Sequence, residues 1–387
     1  MTALEFDGFR RADGKVGTRN HVLILSVTGL TGPTARRIGL AVPGARVITT
    51  PYGSGLFGDD AALQTRALAA FGQHPNVGAA LIIGASPPQV KQIADVVAKT
   101  GKTVEALILD DCDHDAITLT ERGIRIVARL MLEVSRQRRT RVALSELFLG
   151  MECGRSDPSS GLVANPLVGR VVDALIDAGG RAVFGETVEW LGAEHLLKAR
   201  AENAEVAHAI EQAVLRRERA AIDAGLDLLG NNPGPTNIAA GLTTIEEKSL
   251  GSIAKGGRST IRGVVGIAEP LPGPGLYVMD APAYAPESVG GLVASGASLV
   301  LFTTGVGNSF VSGLSPTIKI SANPVATRRL GEQLDFDASA VFERRESIVD
   351  AATRLLALVL EVASGTLTWG EILNEGEDVV SRLGPAL

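Results

Sequence analysis

His21-Val22-Leu23-Ile24-Leu25-Ser26-Val27, followed at once by Thr28-Gly29-Leu30-Thr31-Gly32-Pro33, decides the fold. Consecutive apolar residues with no polar alternation read as a strand covered on both faces. The glycines and proline after it end the strand and open a helix. The pattern then repeats along the chain. Further strands are predicted at 45–49, 79–83, 104–109 and 142–149, with helices at 32–41, 59–71, 88–100 and 115–137 between them. Such alternation, with right-handed crossovers, predicts an α/β fold built on a doubly wound parallel sheet of Rossmann-like type over 1–140. From 141 to 387 the reading is a larger, less regular α/β domain that carries the catalytic groups. Its helices are expected at 166–178, 193–198, 204–224 and 343–363. Between them lie Gly/Pro-rich loops such as Asn231-Asn232-Pro233-Gly234-Pro235 and Thr303-Thr304-Gly305-Val306-Gly307.

The totals narrow the function. The 387 residues are 45% hydrophobic, enough for large cores, and the formal charge of −6 speaks against nucleic acid and acidic membrane surfaces as partners. Cys112 and Cys153 are the whole cysteine content. That excludes a disulfide scaffold and any cluster held by three or four thiolates of this chain, and it leads us to expect a reducing, cytoplasmic setting. Neither a secretory leader pattern nor a membrane-length apolar run is visible.

The densest chemistry follows the run at 142–149: Glu152-Cys153-Gly154-Arg155-Ser156-Asp157, leading to Asn165-Pro166. Acids, a thiol, a guanidinium and a hydroxyl at the mouth of a strand suit proton transfer and anion binding. Capping of the turns before Pro158 and Pro166 is the simpler alternative. Gly53-Ser54-Gly55-Leu56-Phe57-Gly58 spells GxGxxG, but it follows the second strand, lacks a downstream acid for a ribose, and is followed by Asp59-Asp60. We therefore expect no nicotinamide, and a glycine turn whose N–H groups hold a substrate carboxylate. Asp110-Asp111-Cys112-Asp113-His114-Asp115 holds the donor types of a divalent-metal site, and equally those of an acid-capped helix start. Lys248 and Lys255, beside Glu246-Glu247, are either proton-transfer groups or surface ion pairs. His195 stands near Glu189 and Glu194. Thr303 to Ser309 has the make-up of an anion-cradling nest.

Taken in order, these segments resemble the altronate/galactarate dehydratase family. Gly8-Phe9-Arg10-Arg11, Asp13-Gly14 and Arg19-Asn20 begin the series. Gly58-Asp59-Asp60, His74-Pro75-Asn76-Val77-Gly78, Glu152-Cys153-Gly154 and Ala164-Asn165-Pro166 continue it. Gly241-Leu242-Thr243-Thr244 with Glu246-Glu247-Lys248-Ser249-Leu250-Gly251 is the most specific match, and Phe302-Thr303-Thr304-Gly305 closes it. The resemblance implies a lyase that removes water from a sugar acid, a related branch eliminating sulfite from sulfolactate. It implies a divalent metal (iron, or manganese or magnesium), a homo-oligomer, and a small antifreeze-like domain carried on a separate partner chain. The sequence departs from the family where Gly29, Ser54 and Pro87 stand for usual cysteines, where Arg155 replaces a glycine, and near Val306, where an arginine is missing. With those thiols gone, metal use stays open.

The expectation is thus a lyase on a small carboxylate. Glu152, Cys153, Arg155, Ser156, Asp157, His195 and Lys248 are its catalytic candidates. Gly53, Ser54, Gly55, Asn165, Thr243, Thr244, Lys255, Thr303, Thr304 and Gly305 would hold substrate. Cys153, Asp157, Asp111, Asp113 and His114 are the candidate metal ligands, and Lys248 or His195 the base. A metal-independent lyase, hydrolase or isomerase is the second reading, and a non-catalytic subunit that binds small acids the third.

Overall fold

The computed structural model describes residues 4–382. β1 (Glu5–Arg10) and β2 (Val16–Gly17) form a hairpin. β3 (His21–Ser26), β4 (Arg46–Thr49), β5 (Val77–Gly84) and β6 (Thr103–Ile108) make an all-parallel sheet in the order β4-β3-β5-β6. β7 (Thr140–Ala143) returns antiparallel to β1. β8 (Phe148–Cys153), β9 (Arg181–Phe184), β10 (Ile261–Gly266), β11 (Gly275–Asp280), β12 (Leu299–Thr303), β13 (Thr317–Ser321) and β14 (Phe336–Asp337) form a second parallel sheet, ordered β10-β11-β9-β8-β12-β13-β14.

The α/β class and the four-stranded sheet agree with the sequence reading, and helix Gly32–Ala41 agrees to the residue. The 142–149 run does not form one strand. It breaks at a turn over Leu144–Glu146, so its first part joins β1 and its last part opens β8. Glu152 and Cys153 consequently belong to β8 itself, and a division at 140/141 falls inside β7. Helix 343–363 starts later, at Ile348, where the Ser347 hydroxyl accepts from Asp350 N–H. The second half holds a seven-stranded sheet that was read only as irregular α/β.

Both sheets are covered on both faces. Helices Gly32–Ala41 and Ala116–Val134 bury one face of the first sheet through Ile38, Leu119, Val127 and Leu130. Helices Gly58–Gln73 and Pro87–Ala98 bury the other, and their core runs on through helix Ala285–Ala294 to the second sheet. Helices Asn165–Asp177 and Ile348–Ala363 close its far face. The chain's start is tied to its end by Arg19. Its guanidinium donates to both carboxylate oxygens of Glu371 (2.7 and 2.8 Å) and to the carbonyls of Val362 and Thr366 (2.8 Å each).

The sheets meet at a buried polar seam. Asn76 N–H donates to His74 Nδ1 (3.1 Å), and His74 Nε2 faces the Ala297 carbonyl at 3.2 Å. Nδ1 must therefore be the bare nitrogen of a neutral imidazole. Burial, then Lys102, presses its pKa from 6.5 to about 3. Between those values the unfolded chain takes up a proton that the native one refuses. The contribution of His74 is full above pH 6.5 and is lost as pH falls toward 3. Urea unfolding at pH 5 against pH 7 should show a loss of about 2 kcal/mol from this group, and His74→Gln should lack that increment.

Candidate active site

Strand order places the site. β8 runs on to β9 on one side, while its neighbour β12 runs on to β13 on the other, so the connections leaving these two adjacent strands part in opposite directions at their C-terminal ends. A parallel sheet opens a crevice for ligands at such a switch point. Glu152 and Cys153 end β8 there, Thr303 ends β12, and Glu186 follows β9.

Glu152 and Cys153 leave β8 on opposite faces. The Glu152 carboxylate accepts from Ser288 Oγ at 2.7 Å, on helix Ala285–Ala294. Cys153 faces the other way, into a packed group of ionisable side chains. Its Sγ lies 3.3 Å from Glu189 Oε2, 3.5 Å from Glu186 Oε1, 3.4 Å from Ser252 Oγ and 3.2 Å from Lys255 Nζ. Lys255 Nζ also donates to Ser252 Oγ at 2.7 Å and pairs with Glu186. Lys248 Nζ pairs with Glu189 at 2.6 Å and bonds the Asn232 side-chain oxygen. The Lys255 and Glu186 side chains are fully buried, and Lys248 is the most open of the four charged members, at 11% exposure.

Local packing fixes Lys255. Its turn, Ile253–Gly256, follows helix Ile245–Ser252, whose start is capped by Thr244 accepting from Glu247 N–H. Asp173 of helix Asn165–Asp177 then takes hydrogen bonds from Arg258 N, Ser259 N and Ser259 Oγ. Backbone meets backbone between these elements. A Cβ on Gly169 would stand 2.4 Å from the Ala254 carbonyl and 2.8 Å from Gly257 Cα. Gly169→Ala should therefore lower stability by about 1–3 kcal/mol, read as a shift of the urea midpoint, because neither backbone can yield cheaply.

The other candidates separate into those near this group and those apart from it. Asp157 is buried and accepts from Ser159 Oγ (2.6 Å), Ser160 N (3.1 Å) and Asn323 Nδ2 (2.7 Å). Gly305 approaches it so closely that a Cβ there would lie 2.4 Å from Asp157 Cγ. Thr303 Oγ1 donates to Asn165 Oδ1 at 2.5 Å, and Thr304 Oγ1 accepts from Gly307 N. Arg155 is exposed, with φ +54, and its guanidinium has no partner among the described residues. Thr243 is exposed and joins Thr244 in binding Glu247 at a helix start. His195 lies exposed on its short helix, outside the cluster's contacts. Gly53, Ser54 and Gly55 lie after β4, at the mouth of the four-stranded sheet. Asp111, Asp113 and His114 follow β6, where Asp115 caps helix Ala116–Val134. Glu186, Ser252, Asn232 and Ser288 were not read from sequence. The one signal for Glu186 was Ala182-Val183-Phe184-Gly185, a short apolar run ending in glycine directly before it. A cavity of about 1000 Å³ lies elsewhere, along Phe148 and Arg181 at the N-terminal ends of β8 and β9.

The group is charge-paired and buried. Burial, with Lys255 opposing and Glu189 adding to it, raises Glu186 to about 7. Burial also raises Glu152 and the Cys153 thiol, so both favour the protonated form. At Glu189 burial is outweighed by Lys248 and Lys255, and its pKa falls. Burial opposes the charge of both lysines, but the surrounding acids prevail and hold them as ammonium ions. Glu152 Oε1, Ser156 Oγ, Asn232 Nδ2 and Ser249 Oγ are buried without hydrogen-bond partners among the described residues. Unsatisfied polar atoms in a native interior call for a partner, such as substrate oxygens or water.

Cys153, Glu186 and Glu189 are the one set of three or more His, Cys, Asp or Glu side chains among the described residues with donor atoms within 4.8 Å of one another. The set does not fit a divalent ion as it stands. An ion held at ~2.0–2.3 Å by thiolate and carboxylate would press on Lys255 Nζ, which already touches both donors.

Comparison with known proteins adds an independent line. Residues 8–135 match the family described as D-galactarate dehydratase/Altronate hydrolase, second domain, and residues 144–386 match D-galactarate/Altronate dehydratase, C-terminal. The chain is 39% identical to the (2R)-sulfolactate sulfo-lyase subunit beta of Chromohalobacter salexigens, over 98% of this chain and 97% of that protein. It is 32% identical to the altronate dehydratase of Bacillus subtilis, over 99% of this chain and 78% of that enzyme. With the galactarate dehydratase (L-threo-forming) of Escherichia coli it shares 30% identity, over 93% and 73%.

Proposed function

Since the chain belongs to the D-galactarate/altronate dehydratase family, we propose that it is a lyase expelling a C3 substituent from a small 2-hydroxy acid, with sulfite as the favoured leaving group and water as the alternative. The higher identity to the sulfo-lyase subunit, and coverage of nearly its whole length, support sulfite. The elimination removes the C2 proton, forms the C2–C3 double bond and releases the C3 group, after which the enol becomes a 2-keto acid.

One observation carries this reading: Glu186, with a pKa of about 7, lies against an ammonium at the switch point of the sheet. A carboxylate near neutrality matches the task of a general base at physiological pH. Lys248 and Lys255, held charged, are poor bases but good stabilisers of the enolate that forms beside a carboxylate. The base role passes from Lys248 and His195 to Glu186. Arg155, unpaired at the end of β8, supplies a bidentate grip for the substrate carboxylate. The protonated Cys153 thiol donates toward Glu186 and Glu189 and keeps their orientation. Lys248, the most open charged member, which also bonds Asn232, is the one nearest to solvent. We extend the proposal to a partner chain, because the relative matched over nearly its full length is a subunit by name.

The test is an anaerobic assay of the purified chain, alone and with any protein that co-purifies from its source. (2R)-Sulfolactate, altronate and galactarate are offered, and 2-keto acid and sulfite are followed. Equimolar sulfite and keto acid from sulfolactate support the reading. If no acid is turned over and none raises the melting temperature, the reading fails.

A further inference from the structure

The Lys255 ammonium stands where a cation-binding site of this composition would hold its ion. Sγ of Cys153, the Glu186 carboxylate and Ser252 Oγ converge on Nζ, and the side chain is fully buried. Glu189 reaches the same thiol from the far side and is neutralised by Lys248. Two carboxylates, Glu186 and Glu189, are each in contact with an ammonium group, Lys255 and Lys248. A divalent ion would add charge to a group already balanced and would have to displace a buried ammonium from three acceptors.

We propose that Lys255 is a built-in replacement for the divalent cation at this cluster, so that ion and ammonium exclude each other there. The lysine is carried covalently, pinned by the Asp173 contacts beyond its turn. It supplies one positive charge at the donor triangle and cannot be chelated away. Binding stands on the donor geometry alone. Its corollary, that Lys255 does in catalysis what the ion would do, rests on the elimination proposed above.

The experiment loads the full chain, wild type and variants, with Fe(II), Mn(II) or Zn(II) under anaerobic conditions, then desalts it and measures bound metal. The wild type should hold well under about a tenth of an equivalent of cluster-bound metal, whereas Lys255→Ala should hold about one, lost again in Lys255→Ala/Cys153→Ser. Zinc should also raise the melting temperature of Lys255→Ala and not that of the wild type, since only a protein that binds the ion is stabilised by it. Cobalt(II) tests the wild type without relying on any variant's folding, because a bound Cys153 would give a thiolate-to-cobalt charge-transfer band. That band in the wild type, or about one equivalent of metal removed by Cys153→Ser or Glu186→Gln, overturns the proposal. So does a folded Lys255→Ala that takes up no metal. These readouts do not depend on turnover, so an inactive protein leaves the result interpretable and counts only against the elimination.

Discussion

Glu186→Gln should lower kcat by about 10²–10⁴-fold, the usual contribution of a positioned general base. Gln keeps the shape and the hydrogen-bonding capacity toward Lys255 but cannot accept the C2 proton. The pH profile separates loss of a base from loss of a shape. A base works unprotonated, so wild-type kcat should rise with pH through a limb near 7, the value to which burial lifts this carboxyl. The variant's residual rate should lack that limb. Turnover that is unchanged, or a limb that persists in the variant, would remove Glu186 from the reaction and leave the cluster without its base.

The second large effect concerns stability. Lys255→Ala deletes a fully buried ammonium and leaves Glu186 facing a thiol that also favours its proton. Breaking a buried pair by removing one partner is expected to be destabilising by about 3–5 kcal/mol, because the remaining charge keeps its desolvation penalty. Lys255→Met/Glu186→Gln replaces both charges and should be less destabilised than Lys255→Met alone. Chemical unfolding of the set forms a double-mutant cycle. A loss in the double variant equal to the sum of the losses in Lys255→Met and Glu186→Gln would mean that the pair is not coupled, and the charge argument would be wrong.

How much of this was legible in the sequence follows from the strands. The first sheet is written in unbroken apolar runs such as Ala80-Leu81-Ile82-Ile83, which only a two-sided core explains. The second sheet hides its strands. β9 is four residues long and opens with Arg181, β10 contains Arg262 and Gly263, and β13 carries Lys319 at its centre. Lys319 is buried nonetheless, because its Nζ donates to the Ser309 carbonyl at 2.6 Å. With β9 unseen, nothing placed Glu186 at a strand end or brought it to Cys153. Cys153 and Lys248 stand out by local chemistry, and Lys255 by its place beside Glu246-Glu247; the structure buries Lys255 within the cluster. Local density also marks Asp111, Asp113 and His114, and Gly53 to Gly55, which the structure places apart from this cluster. Those residues sit at strand ends too, but of the four-stranded sheet. Residue type and spacing announce the end of a strand; strand order alone says which ends share a crevice.

The Arg19 clasp has a mechanical consequence. It joins a residue of the first twenty to Val362, Thr366 and Glu371, so any strain that parts these two segments loads this one guanidinium. Trimming the chain at its tail is then felt at its head. Removing the stretch from 362 to 371 would leave a five-donor cation with fewer acceptors at the entrance to β3, and peeling would start from there.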